Sequence, residues 1–386
     1  MKTPKTSRLF ERRINEESGV EYYVLKERVC TYQQGFYFVN NSMTVDGRYL
    51  WFYATVNPVF VGVQRGRMLA YVDFLEDEVV ICHDAPFDDA SPYVDAESGE
   101  VYFTYGKGIY KRSPGKNNFA VKLCDVPIKG YVRQLATHLT RLSDKNCFFL
   151  DIQRDNFGSI QGVINVENGV FTEWARTEFV TNHGQINPKN DRLALCAYDY
   201  WRDLADGKQY VIPKDGSGSY QRLWTVAADG TRKCYPPMHN HASHEFWSAN
   251  GERFYYCSNP HGIYGVDLAS GKDVVILENV DPWHAHASKD EKYFVYDQTS
   301  LARFGGKWFR GCPASVSFLN RESGKSIKIV SEMPENGHSP ENQNDYHIDP
   351  HPRFTENEKY IVFSTSELGG CDLAITFVDA LIEKTK

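Results

Sequence analysis

Nothing in this sequence approaches the roughly 18 consecutive apolar residues that a membrane span needs, and the mean hydropathy is negative, so no membrane partner is expected. An excess of positive charge is missing too. Lys and Arg number 43 against 50 Asp and Glu, a net charge of −7, which argues against a nucleic-acid binder relying on phosphate attraction. The nine Cys are scattered without CxxC or paired spacing, as suits small core residues in a reducing compartment. The opening MKTPKTSRLF carries basic residues but no apolar stretch, so no secretory leader is expected and the cytoplasm is the expected location. No useful length of helical periodicity is present. GxGxxG, GxxxxGK, GxSxG and HExxH are absent, which leaves nucleotide, P-loop, α/β-hydrolase and zincin readings without support.

What the chain does have is strand-forming sequence. Aromatics make up 14% of its 386 residues, with 24 Tyr and 23 Phe, and such residues favour strands. One pattern recurs seven times: an Asp/Asn/Gly turn followed by a run of β-branched and aromatic residues. It reads MTVDGRYLWFY from Met43, VDAESGEVYFTY from Val94, LTRLSDKNCFFL from Leu139, INPKNDRLALC from Ile186, WSANGERFYYC from Trp247, ASKDEKYFVYD from Ala287 and FTENEKYIVFS from Phe354. Turn residues between strand runs mark a β-hairpin. Second hairpins follow, such as MLAYVDFLEDEVVIC from Met68 and IYGVDLASGKDVVIL from Ile263. Two hairpins per repeat predict a four-stranded propeller blade, and seven repeats predict an all-β, seven-bladed propeller over residues 1–386. The last repeat is one strand short, and the N-terminal RLFERRINEESGVEYYVL from Arg8 is placed to close the ring. A β-sandwich or a pair of barrels is the alternative.

The 12 His are not spread evenly. His138, His244, His284 and His351 each stand six residues before a turn residue, namely Asp144, Asn250, Asp290 and Asn357. Inner strands of a propeller line its central channel, so this register aims four imidazoles at one axial funnel. His183, His239, His241 and His347 lie close to the same positions, and His286 sits two along from His284 on the same expected strand face. Neutral imidazoles beside a carboxamide, Gln343, make a ligand set for a divalent Mn, Zn or Ni ion, and the lack of Cys ligands points away from a closed structural zinc site. Arg222 opens the strand RLWTV, Tyr198 and Tyr200 end LALCAYDYW, and Asp345 and Asp349 alternate with the last histidines. His83, His261 and His338 are expected in outer loops without a role.

The motifs HASHEFWS from His241, WHAHAS from Trp283, QNDYHIDPHPRF from Gln343, RLWTVAADGT from Arg222 and NHGQINP from Asn182 resemble oligogalacturonate lyase. The likeness runs over most of the chain from about residue 130. It implies a cytoplasmic seven-bladed propeller that cleaves digalacturonate by β-elimination, monomeric or homodimeric, with an anionic uronate oligosaccharide as its substrate. The family's metal set of three His and a Gln maps onto His284 or His286, Gln343, and the last motif, where His347 and His351 are available; manganese is the implied ion. Its base maps onto His244 and its assisting arginine onto Arg222. The sequence departs from the family's Q-x-x-H-x-H-P by placing Asp349 at the middle His. The chain is also similar to propeller lyases acting on ulvan or rhamnose-capped glucuronate, which use a His–Tyr–Arg set; His138 or His183, Tyr198 and Arg222 are the counterparts, with Tyr200 and His241 as further substrate contacts.

The residue types suit the chemistry. β-Elimination takes the weakly acidic proton beside a uronate carboxylate, whose charge a divalent ion or an Arg must neutralise. Arg binds a planar carboxylate bidentately, and a neutral His is a competent base near pH 7. A non-catalytic propeller scaffold is the reading from a different class, because the fold alone does not decide function.

Overall fold

Each of the seven expected turns joins two antiparallel strands. The computed structural model describes residues 1–386 except 56–66, 155–157, 203–208, 211–221, 240, 300–312 and 335–348, with the backbone alone for 199–202, 209 and 210. Its strands form seven antiparallel sheets in chain order around a ring. The first strands of the blades line the channel: Tyr32–Gln34, Tyr93–Val94, Thr140–Arg141, Val180–Asn187, Ser243–Trp247, Pro282–Ala287 and Arg353–Phe354. The fourth strands, such as Val121–Asp125 and Asp273–Glu278, are half-buried or exposed at the rim. Closure uses more of the N-terminus than the one missing strand. Phe10–Ile14 and Glu21–Leu25 both join the last three strands, making a five-stranded seventh blade. The fourth blade also holds a fifth strand, Gln209–Tyr210. One short helix, Val378–Lys384, which the sequence reading did not include, seals Val378 and Leu381 onto the last blades.

The core is divided among the blade interfaces. Trp51 and Phe103 pack between the first and second blades, Tyr102 and Phe148 between the second and third, and Tyr255 and Phe294 between the fifth and sixth. Each fully buried aromatic of this kind contributes on the order of 2 kcal/mol. Buried carboxylates add polar ties. Asp151, on the second strand of blade three, accepts hydrogen bonds from Thr137 N–H and from Gly184 N–H of blade four. A side chain at Gly184 would collide with Asp151, since a Cβ there would lie 2.6 Å from it, so the tie requires glycine.

The first blade breaks the pattern where it matters. Gln34 pairs with Tyr53, and Met43 pairs with Leu50. Between those two points the inner strand has residues 35–42, whereas its partner has only Trp51 and Phe52. The surplus cannot fit the ladder, so it turns inward and carries Tyr37 and Phe38 into the channel.

Candidate active site

The histidines converge because the inner strands are bent in the same way. In blades four, five and six the ladder slips at Asn182/Gln185, Ser243/Phe246 and Pro282/Ala285. His183, His244 and His351 hold left-handed backbone, with φ of 53°, 54° and 45°. That conformation is costly for a side chain with a Cβ, and a bulge is the usual means of turning one residue out of the pleat. Here it turns imidazoles into the channel.

The result is a packed ring. His284 lies 4.2 Å from His244 and 4.3 Å from His351, measured between ring centres. His244 lies 6.0 Å from His183, and His183 lies 5.2 Å from His138. At the centre stands Tyr37, within 4.5 to 6.3 Å of all five rings. Its hydroxyl is buried without a hydrogen-bond partner, and burial, with Glu245 near, holds its ionisation well above the ordinary value. Sequence reasoning missed Tyr37, because the signal was an excess of chain before the first turn and no motif.

Two carboxylates organise the ring. Asp297 accepts from the backbone N–H of His284 at 2.8 Å, from its Nδ1 at 2.8 Å and from the backbone N–H of His351 at 3.2 Å. His284 is nearly inaccessible, and burial opposes its charge, but Asp297 outweighs burial and lifts its titration above the usual value. On the other side, Glu245 is fully buried between Arg222 Nε at 3.1 Å and His183 Nδ1 at 3.0 Å. Burial raises the cost of its charge; Arg222 and His183 more than offset this and bring the carboxyl down to about 2. Neither acid was read from the sequence. Asp297 does have a signal, since VYD in Tyr293–Thr299 repeats the FLD of Cys147–Gln153 that supplies Asp151.

Protonation follows from these partners. Nδ1 of His284 donates to Asp297, which leaves its Nε2 as the lone-pair nitrogen; Nδ1 of His183 lies 3.0 Å from a Glu245 oxygen and 3.4 Å from Arg222 Nη2. Among the described residues His244 has no carboxylate partner, and its Nδ1 is buried without a hydrogen bond. Burial, then His284, His183 and Arg222, push it well below the ordinary histidine range, so it is a neutral base at pH 7. His138 is buried, neutral for the same primary reason, and stacked on Tyr37.

One ligand atom each from His284, Asp349 and His351 lie within 4.8 Å of one another. Two imidazoles and a carboxylate, one imidazole oriented by an outer carboxylate, suit a divalent first-row ion. Asp349 thus stands where the sequence comparison expected a histidine. Gln343, Asp345 and His347, the other expected ligands or neighbours, lie outside the described residues, as does His338.

The remaining sequence candidates separate. His286 does not join His284: the slip at Pro282/Ala285 breaks the alternation, and its ring stacks on Phe246 at 5.7 Å, towards the opposite mouth. Tyr198 is buried against Phe179 at 4.8 Å, and it makes no ring contact with the channel histidines among the described residues. Tyr200 contributes backbone to the strand Asn190–Arg202, opposite Val180, and its side chain is not described. His241 is half-buried, held low by burial and by Arg222 and His261. His239 lies outside the ring, stacked on His261 and bonded to the Tyr264 hydroxyl. His83, expected in a loop, is exposed on the fourth strand of the first blade.

No family model and no curated protein matches this sequence. Solved structures do. The chain superposes on a manganese complex of an oligogalacturonate lyase with a TM-score of 0.71 at 14% identity, covering 96% of each chain. An oligogalacturonate lyase from Vibrio parahaemolyticus gives 0.69 at 15% identity, again over 96% of each. Hydrazine synthase from Kuenenia stuttgartiensis gives 0.54 at 12% identity, over 92% of this chain and 99% of that one. No helix among the described residues is long and apolar enough to cross a membrane. The chain has the seven-bladed propeller fold seen in oligogalacturonate lyase, with a divalent-ion donor set at one end of its channel.

Proposed function

We propose that this protein is a lyase that cleaves uronate-containing oligosaccharides, digalacturonate first among them, by β-elimination. The observation that carries the reading is a neutral histidine, His244, set between the His284–Asp349–His351 donor set and the fixed charge of Arg222. Solved oligogalacturonate lyases of the same fold, one of them a manganese complex, support it.

His284, Asp349 and His351 would hold a divalent ion, manganese by this reading, which would supply charge neutralisation at the uronate carboxylate. The chain's own residues do the rest. Arg222, fixed by Glu245, is a rigid cation against which an anionic sugar orients. His244 accepts the proton from the carbon next to the carboxylate; the electron pair of that C–H bond forms the new carbon–carbon double bond as the glycosidic C–O bond breaks, and the departing oxygen takes a proton from water to leave as a free sugar hydroxyl. His183, tied to Glu245, keeps Arg222 from turning away. Ring packing around Tyr37 leaves His244 little freedom to leave this position, and such positioning is a large part of catalytic power.

A second reading keeps the reaction and changes the sugar. Tyr37, and not Tyr198, is the phenol placed among the histidines, which favours a His–Tyr–Arg lyase on glucuronate glycans. Purified protein with Mn²⁺, offered digalacturonate, ulvan oligomers and rhamnose-capped glucuronate, should release the 4,5-unsaturated uronate chromophore from digalacturonate, and a chelator should stop it. Chelator-resistant activity on the glucuronates favours the second reading. No chromophore from any of them sinks both.

A further inference from the structure

Beyond the Tyr37–Phe38 plug the channel opens into a cavity of about 610 Å³ at the turn end of the inner strands. None of the five ring histidines lines it. Arg353 has no use in the fold that its position explains. It is 6% exposed, its Nε donates to the Phe354 carbonyl at 3.0 Å, and its Nη1 is buried with no hydrogen-bond partner. Its guanidinium carries a positive charge at neutral pH. Glu356 is spent on Lys289 at 2.5 Å. A buried cation without a carboxylate is expensive, and a cavity in front of it is where an anion removes that cost.

The walls say which anion. Three cations, Lys189, Lys289 and Arg353, face two carboxylates, Glu356 and Glu358. His286 lines the same cavity, and its Nδ1 is buried without a partner. The cavity therefore offers one net positive charge, enough for a monoanion, whereas a doubly charged phosphate would face the two glutamates uncompensated. Phe246, Trp247 and Phe354 give it flat apolar walls, and its volume is that of a small-molecule site. The geometry points to a second ligand site, at the mouth opposite the histidine ring, for a single carboxylate on a ring-sized body, a monomeric sugar acid. Arg353 grips the carboxylate and Trp247 covers the ring. The site is independent of the lyase reading.

The test places 5-fluorotryptophan in the full-length protein and follows the Trp247 resonance, assigned by Trp247→Phe, during titration with D-glucuronate. In wild type it shifts saturably with D-glucuronate and not with D-glucose, and in Arg353→Met half-saturation needs at least about tenfold more ligand, the loss of a charge-assisted hydrogen bond. Should Arg353→Met fail to fold, Lys189→Glu, on the exposed rim, reads the same charge and must weaken binding. A Trp247 resonance that glucuronate leaves unmoved overturns the site. Equal titration of variant and wild type overturns the role of Arg353, and an equal response to inorganic phosphate overturns the carboxylate.

Discussion

Five blades of this propeller place a histidine at one inner-strand position, and two do not. The position lies four residues before the backbone N–H that closes the hairpin. It holds His138, His244, His284 and His351, before Leu142, Ser248, Ser288 and Thr355, and His183 stands four before Asn187, where its blade turns. In the first two blades the same count from Thr44 and Asp95 reaches Asn40 and Ser91. Asn40 Nδ2 contacts the carbonyls of Ser91, Pro92 and Leu139, and the Ser91 hydroxyl lies 3.5 Å from the Tyr37 carbonyl. One backbone position thus serves two purposes. Where it points an imidazole into the channel it makes chemistry, and where it carries a short polar side chain it fastens the loop that plugs that channel.

Breaking the histidine side has the largest expected effect. His244→Ala should lower kcat by about 10² to 10⁴, the usual contribution of a general base, with the circular dichroism spectrum unchanged. Retention of more than a tenth of wild-type turnover would remove His244 from the reaction.

Glu245→Gln comes next, because it takes a buried carboxylate away from Arg222 Nε. Removing one partner of a buried pair costs about 3 to 5 kcal/mol, read as a lower urea midpoint at pH 6. The folded-state carboxyl titrates at about 2, below its unfolded value, so its contribution is complete above roughly pH 4.5 and is lost as pH falls towards 2. The gap between wild type and variant should therefore narrow between pH 5 and 3. A gap that stays constant over that range means that Glu245 is not the group responsible.

Asp297→Asn tests how the blades that carry the donor set differ from blade three, where Asp151 makes the same kind of backbone ties but bonds no imidazole. Loss of the carboxylate that orients His284 should weaken Mn²⁺ binding about 10- to 100-fold, measured by titration with the metal, whereas Asp151→Asn should leave it unchanged. Equal weakening in both would show that the effect is structural.

On the plug side the effect is smaller and falls on stability. Asn40→Ala removes the amide shared among the carbonyls of Ser91, Pro92 and Leu139 and should cost about 1 to 3 kcal/mol by chemical denaturation, with Mn²⁺ affinity within twofold of wild type. A larger change in affinity than in stability would mean that blades one and two take part in the chemistry after all.

Much of this was legible along the chain. The seven turns, the strand runs and the spacing of His138, His244, His284 and His351 depend on local periodicity, which sequence records directly. His286 misled because strict alternation was assumed, and the bulge that breaks it arises from the fit of Pro282–Ala287 to its partner strand. Tyr198 misled because a strand end looks open until Phe179 covers it. Asp297 and Glu245 act on residues of neighbouring strands and blades, and Tyr37 acts on five blades at once.

The sequence by itself determined the repeat, the all-β class and the set of imidazoles available, because hairpin signals and side-chain alternation are short-range. The tertiary structure decided which histidines meet, which nitrogen of His284 carries the proton, and that an aspartate completes the donor set. It also decided that Arg353 faces a cavity of its own. These depend on ring closure, which brings together residues from distant blades, and on burial, which gives each charge its cost and each carboxylate its partner.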